Sequence, residues 1–282
     1  MILTTRFAPS PSGRLHLGHA YSAIVGREAG DRFLLRIEDL DAGRCRAEFV
    51  DGIYEDLRWL GIKWDGAPVV QSTRVAAYMA ALEELRDRGL VYPCFCTRAD
   101  IAASLTAPHG DVAAGYPGTC RGLPDDTARQ STTAHSWRLD SRKALAMTGL
   151  PGWSEREQRF TATADSIDDI ILARKDAPAA YHLACVVDDA ASGVDLVVRG
   201  MDLRPSTPVQ RLLQILLGLP EPTYLHHRLV AHGAEHEEGR RLAKRDLAPT
   251  LAAMRAAGVD GVALAAQLAD GRLPLEFMLI EA

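Results

Sequence analysis

Apolar positions along the chain recur at two spacings, and their alternation lays out the elements. Residues 2–8 form a short extended apolar stretch, closed by the turn-forming run Pro9-Ser10-Pro11-Ser12-Gly13. A helix is predicted over 16–29 and a buried strand over Arg32–Ile37. Val50, Ile53, Tyr54, Leu57 and Leu60 fall on one face of a 3.6-residue period, which predicts an amphipathic helix over 46–60. Val75, Tyr78, Met79, Leu82 and Leu85 repeat the pattern over 74–88, with Gly89 as the stop. This β-α-β-α order predicts a parallel sheet covered by helices.

From about 94 to 180 the periodicity weakens and Gly, Pro, Ser and Thr become frequent, as in an inserted subdomain. Regular structure is expected to return at Tyr181–Asp189, with a strand at Val194–Val198. Ser206-Thr207-Pro208 reads as a helix start, a hydroxyl cap followed by proline at the first helical position. Val209, Leu212, Leu213, Leu216 and Leu217 continue that helix to Gly218. Residues 224–230 are expected to be extended, 231–246 polar and loop-like, and 247–268 helical. The division that follows is 1–90 as the first half of a catalytic domain, 91–180 as an insert, 181–230 as the second half, and 231–282 as a loop and helical stem.

Composition narrows the class. The 282 residues are 47% hydrophobic and 24% charged with a net charge of −5, which excludes a disordered chain, a collagen-like repeat or a disulfide mini-scaffold. No apolar run approaches the roughly 18 residues of a membrane span, and the first residues lack a secretory pattern. The cytoplasm is the expected compartment, and the five cysteines read as reduced thiols or metal ligands. Of the 32 basic residues only four are lysine (Lys63, Lys143, Lys175 and Lys244), so a retained lysine carries more weight than an arginine. The negative balance argues against nucleic-acid binding over the whole surface, while leaving room for a local basic patch.

The sharpest chemical signal is Arg6-Phe7-Ala8-Pro9-Ser10-Pro11-Ser12-Gly13 followed by His16-Leu17-Gly18-His19. A strand leading through small residues into a helix start presents backbone N–H groups and the positive end of the helix dipole, a setting suited to phosphate. Gly18 would let a flat ring lie against the backbone, and the two histidines would supply donors near developing charge. By itself His-x-x-His equally describes a metal pair or two surface histidines. Cys94, Cys96 and Cys120 lie within 27 residues and suggest a structural zinc site; Tyr116, His109 and His135 are the candidates for its fourth ligand, and three reduced thiols without metal are the alternative. His232, Glu235, His236, Glu237 and Glu238 read as a hydrated loop, and His226 and His227 as packing or loop residues.

At the front motif the chain resembles the class I aminoacyl-tRNA synthetases, and the wording before His16 narrows the likeness to their glutamyl branch. Arg36-Ile37-Glu38-Asp39 and Val197-Val198-Arg199-Gly200 are similar to that branch as well. The resemblance implies a Rossmann-like catalytic domain with a zinc-containing insert and a short helical stem. It implies that Arg6 and Arg199 hold the side-chain carboxylate of glutamate, with Ala8, Ser10 and Tyr181 lining the pocket and Glu38 taking the α-ammonium. Arginine forks do bind carboxylates bidentately, and a carboxylate is the natural partner of an ammonium. ATP would lie along Pro9, His16, Gly18 and His19, accompanied by Mg²⁺. Arg241-Leu242-Ala243-Lys244-Arg245 aligns with the family's second signature; Lys244 keeps its last lysine, while Arg241 and Ala243 depart from it. His16, His19 and Lys244 are the expected catalytic residues. For the zinc ligands, the resemblance favours Cys94, Cys96, Tyr116 and Cys120.

Length refines the likeness, because only 38 residues follow Lys244. The chain is therefore most similar to the short glutamyl-queuosine tRNA(Asp) synthetase family. That likeness implies a monomer that activates glutamate with ATP and esterifies it to queuosine in the anticodon of tRNA(Asp). A trimmed glutamyl-tRNA synthetase charging a tRNA 3′ end, a non-catalytic RNA-binding paralogue, and an enzyme passing another amino acid to a non-RNA acceptor are the competing readings.

Overall fold

The computed structural model describes residues 2–97, 99–101, 116–123 and 127–233, the backbone of 240–241, and 249–281. Its first third builds the predicted alternation: β1 (Thr4–Phe7), α1 (Leu17–Glu28), β2 (Arg32–Ile37), α2 (Ala47–Trp59), β3 (Val69–Val70) and α3 (Val75–Asp87). The three strands pair in parallel in the order β1-β2-β3, with Arg6 opposite Leu34 and Ile37 opposite Val70. β2 is apolar on both faces (Phe33, Leu34, Leu35, Ile37), as a strand covered by helices on each side must be.

The middle of the chain contributes β4 (Val91–Cys94), α4 (Thr127–Thr132), β5 (Ser136–Leu139), α5 (Ser141–Thr148), β6 (Gly152–Glu155), β7 (Gln158–Thr161) and β8 (Ile171–Ala173). β4, β5 and β8 form a separate antiparallel sheet. The hairpin β6–β7 does not join it. It pairs instead with β10 (Thr223–His227), Tyr224 opposite Glu155 in parallel, so part of the stretch expected as an insert extends the catalytic sheet. That sheet runs β7-β6-β10-β9, with α6 (Tyr181–Ala191) leading into β9 (Leu196–Gly200), and a 3₁₀ segment and α7 (Thr207–Leu216) crossing to β10.

β9 lies beside β1. The Asp195 amide donates to the Thr4 carbonyl at 3.0 Å, the Thr4 amide donates to the Asp195 carboxylate at 3.1 Å, and the Arg6 guanidinium donates to the Val198 carbonyl at 3.1 Å. From β1 the chain crosses to β2 on one side; from β9 it crosses to β10 on the other. The strand order therefore reverses between β1 and β9, and in open α/β sheets ligands bind in the crevice at the carboxyl ends of such a pair. Two apolar cores flank the seam, one around α1, β2 and α2, the other around α6, β9 and α7.

The C-terminal region differs from the expected loop and single helix. β11 (Leu229–His232) pairs with β12 (Arg240–Arg241) on one edge and β13 (Phe277–Ile280) on the other. Two helices follow β12, α8 (Leu251–Ala256) and α9 (Gly261–Ala269). They are separated because Gly258 turns to φ +82° and the Asp260 side chain caps the second by accepting from the Ala263 amide. The Leu251 amide donates to the Leu15 carbonyl, which pins the stem to the front motif. Among the described residues, no helix is long and apolar enough to cross a membrane.

Candidate active site

The front motif sits at the reversal point. His16 is the N-cap of α1: its Nδ1 accepts from the Gly18 amide at 3.1 Å, and His19 Nδ1 accepts from the His16 amide at 3.2 Å. The pair works as a reciprocal capping box built from two imidazoles, with ring centroids 3.8 Å apart. Because each Nδ1 is an acceptor, the proton of each neutral ring resides on Nε2. A side chain on Gly18 would meet the His16 ring at 3.1–3.2 Å, so glycine is what lets the capping imidazole close over the first turn. The first turn carries no acidic residue, which leaves the dipole end available to an anion.

A cavity of about 330 Å³ opens here, bounded by Arg6, Ala8, Pro9, Ser10, His16, Gly18, His19, Glu38, Tyr181 and Arg199. The expected glutamate-pocket and ATP-site residues therefore share one cavity wall, apart from Lys244. Lys244 and Ala243 lie outside the described residues, as do His109, Glu235, His236, Glu237 and Glu238. Arg241 is placed only as a backbone partner of Ala231.

The two arginines are in opposite electrostatic states. Arg6 is buried and gives Nε and Nη2 to the two oxygens of Asp189, at 3.0 and 3.4 Å. Arg36 reaches the same carboxylate at 2.5 Å and also holds Glu38 at 3.2 Å. Burial opposes ionisation of Asp189, but the Arg36 and Arg6 guanidiniums overcome it and hold its carboxyl well below the usual carboxylate range. Glu38 moves the other way: burial raises its pKa, only partly offset by Arg36 and Arg6. An incoming ammonium would stabilise the charged form that the protein alone disfavours. Arg199 is 3% exposed and is held by neutral groups: Nε by His226 Nε2 at 3.2 Å, Nη1 by Gln210 Oε1 at 2.6 Å, and Nη2 by Thr207 Oγ1 at 2.8 Å. Among the described residues no carboxylate pairs with it.

Four of these groups were given no role in the cavity by the sequence. Asp189 follows Asp188 in a helix, and the two carboxylates diverge: Asp188 accepts from Gln71, Arg74 and Tyr78, tying α3 to α6, while Asp189 serves the cavity. His226, read as packing, is brought opposite Arg199 by the β9–β10 register. Thr207 and Gln210 stand three apart on one face of α7, a spacing visible in the sequence whose target was not.

A second chamber of about 570 Å³ adjoins the first and shares Ser10, Glu38 and Tyr181 with it. Its far side comes from the middle of the chain, including Arg138, Asp168, Ile170, Ile171 and Arg174. Burial raises the pKa of Tyr181, keeping its hydroxyl protonated where the chambers meet.

The cysteine cluster is assembled as a ligand set. The sulfurs of Cys94, Cys96 and Cys120 lie within 4.8 Å of one another. The Tyr116 hydroxyl stands 3.3 Å from Cys94 Sγ and 3.5 Å from Cys96 Sγ, while Cys96 and Cys120 are 3.5 Å apart. A tetrahedral zinc with bonds of about 2.0–2.3 Å has ligand–ligand edges of about 3.5–3.8 Å, so three thiolates and a phenolate fit. His135 is turned elsewhere, its Nδ1 on the Thr133 carbonyl and its ring against Phe95 and Trp137. Asp169, fully buried, fastens the cluster to the antiparallel sheet by accepting from Tyr92, Arg121 and Ser141. Purified protein is expected to carry about one zinc per chain by elemental mass spectrometry. Cys96→Ser is expected to lose most of it, and Tyr116→Phe to bind it more weakly because three thiolates remain around an open position. Full zinc retention in Cys96→Ser would remove this ligand set.

Residues 2–269 match the family described as tRNA synthetases class I (E and Q), catalytic domain. The chain is 44% identical to the glutamyl-Q tRNA(Asp) synthetase of Rhodobacter capsulatus, across 92% of this chain and 96% of that protein. It is 46% identical to the protein of the same name from Nocardia farcinica, across 94% and 83%. The crystal structure of the glutamate-tRNA synthetase from Elizabethkingia anophelis superposes with a TM-score of 0.72 at 27% identity, covering 87% of this chain and 53% of that one. The chain thus spans about half the length of that longer synthetase.

Proposed function

The chain belongs to the class I tRNA synthetase family for glutamate and glutamine, and we propose that it activates glutamate with ATP and transfers it to queuosine in the anticodon of tRNA(Asp). It is an ATP-dependent ligase of the synthetase type. The observation that carries the glutamate reading is the charge pattern of one cavity: an arginine with an uncancelled charge, a carboxylate awaiting a cation, and a helix N-terminus ready for phosphate.

Glutamate fits with its side-chain carboxylate on the Arg199 fork, its ammonium on Glu38, and Ala8, Ser10 and Tyr181 around its methylenes. Arg6 backs the same wall and fixes it through Asp189. The α-carboxylate then faces the phosphates of ATP, seated against Pro9, Gly18 and the Nε2 sides of the His16 and His19 imidazoles. One carboxylate oxygen attacks the α-phosphorus in line, the bond to the bridging oxygen breaks, and pyrophosphate leaves, giving glutamyl-AMP. Catalysis is positioning and charge stabilisation, with His16 and His19 as donors and Lys244 assigned to the departing pyrophosphate. Mg²⁺ arrives with ATP as part of the substrate.

The second chamber receives the acceptor. Its size admits an unstacked nucleoside, its wall mixes apolar and charged side chains, and it meets the first chamber where an attacking hydroxyl must arrive. The cyclopentene diol of queuosine supplies that hydroxyl, which displaces AMP and forms the ester. The 44% identity to the glutamyl-Q tRNA(Asp) synthetase of Rhodobacter capsulatus, aligned over 96% of that protein, supports this acceptor over a tRNA 3′ end. The test is transfer of labelled glutamate to tRNA(Asp) with and without queuosine, with tRNA(Glu) as control. Transfer only to the modified tRNA(Asp) is expected. Equal transfer without the modification would overturn the acceptor while leaving activation standing, and charging of tRNA(Glu) would favour the trimmed synthetase.

A further inference from the structure

Among the described residues, the acceptors that seat Arg199 are all uncharged. A guanidinium has five N–H groups. Three are donated, to His226, Gln210 and Thr207, which leaves one on each terminal nitrogen, the pair that grips a carboxylate end-on. The ring of Tyr224, 5.4 Å from the guanidinium carbon, adds a further neutral contact. Behind the seat stands Glu155, whose Oε1 is 3.0 Å from His226 Nδ1 and whose Oε2 accepts from Arg204 at 3.0 Å. His226 Nε2 accepts from Arg199, so the imidazole proton lies on Nδ1, 3.0 Å from Glu155 Oε1 but outside hydrogen-bond geometry with it. The carboxylate stands one imidazole away from Arg199 without touching it. Burial and Arg199 push the His226 pKa down to about 4, so the ring that seats Arg199 stays neutral at ordinary pH. The Gln210 amide nitrogen is buried with no partner among the described residues, a cost carried for an acceptor that brings no charge.

We propose that Thr207, Gln210 and His226, with Glu155 behind them, are positioning residues that fix the Arg199 fork while leaving its charge whole, and that this neutrality is what selects an acidic side chain over its amide. The proposal deepens the glutamate reading and rests on it. Arg6 is the internal contrast: clamped by Asp189, its charge is already balanced and cannot discriminate in the same way. A carboxylate in the seat would turn Arg199 into a second Arg6.

The experiment is Gln210→Glu, nearly isosteric and placing that carboxylate against Nη1, compared with Gln210→Met, which removes the acceptor and adds no charge. The readout is ATP–pyrophosphate exchange with glutamate and with glutamine. Q210E is expected to raise KM for glutamate roughly a hundredfold, because like charges now face one another, with kcat and KM for ATP within about twofold of wild type. Its preference for glutamate over glutamine is expected to fall by a similar factor. Q210M is expected to raise that KM less than about tenfold and to keep the preference. Should Q210E fail to fold, Thr207→Asp makes the same insertion on the other terminal nitrogen. A wild-type KM in the folded charge-inserted variant, or loss of preference in Q210M equal to that in Q210E, would overturn the proposal. Absence of glutamate-dependent exchange in the wild type would instead remove the glutamate reading itself.

Discussion

Replacing Arg199 by alanine is expected to lower kcat/KM for glutamate in ATP–pyrophosphate exchange by roughly a thousandfold, most of it in KM. The size follows from what the residue does in the cavity. It is buried to 3% exposure and has no acidic partner among the described residues, whereas Arg6 on the same wall is already paired with Asp189. Truncation also strands the acceptors of Thr207, Gln210 and His226, and a folded variant must be verified by circular dichroism before kinetics are compared. Arg199→Lys separates charge from shape. A lysine keeps the charge but has three donors on one nitrogen, too few to satisfy three neutral acceptors and a bidentate ligand together. It is expected to recover part of the lost KM and little of the selectivity against glutamine. Wild-type kinetics in Arg199→Ala would remove the residue from the site.

What could be read from the chain, and what could not, divides along the range of the interactions. The strand Arg32–Ile37 was legible to the residue because a run of apolar side chains buried on both faces is a local property. The front motif was legible because strand, turn and cap are contiguous. The seat of Arg199 was not. It draws on β6, β9, α7 and β10, and only the parallel register that sets His226 opposite Arg199 makes them neighbours. The same holds for the hairpin β6–β7, whose turn-rich sequence reads as part of an insert while its pairing partner, Tyr224, lies some seventy residues later. The cysteine cluster shows the intermediate case. Its spacing announced a metal site, but the choice among Tyr116, His109 and His135 depended on how the chain folds back, and the structure brings the Tyr116 hydroxyl among the sulfurs while His135 packs on aromatic rings. The break between α8 and α9 was missed for a different reason: Gly258 and Asp260 are ordinary stop and start signals, hidden within an apolar pattern that continues across them.

Asp189→Ala is expected to be the most destabilising single change near the site. Two buried guanidiniums, Arg6 and Arg36, converge on this carboxylate, and removing it leaves both in a dry environment with opposing charge reduced to Glu38. Breaking one side of a buried pair costs about 3–5 kcal/mol, which for a chain of this length corresponds to a fall in the unfolding midpoint of roughly 5–15 °C. The pH dependence gives a second signature. The folded-state pKa of Asp189 lies below its unfolded value, so the pair's contribution is complete above about pH 4 and is lost progressively as the pH falls below that. Wild-type protein should therefore lose stability on acidification below pH 4 with a steepness to which Asp189 contributes, and Asp189→Asn should show a shallower loss from a lower starting point. Thermal unfolding monitored from pH 7 down to 3 measures both. Glu38 has the opposite sign: burial raises its folded-state pKa, so its ionisation costs stability near neutrality and protonation relieves that cost. The two acids beside one pair of arginines thus divide the work, Asp189 anchoring Arg6, which bridges β1 to β9, and Glu38 kept in a state that a bound ammonium would improve. An unfolding midpoint in Asp189→Ala equal to that of the wild type would show that Arg6 and Arg36 do not depend on it.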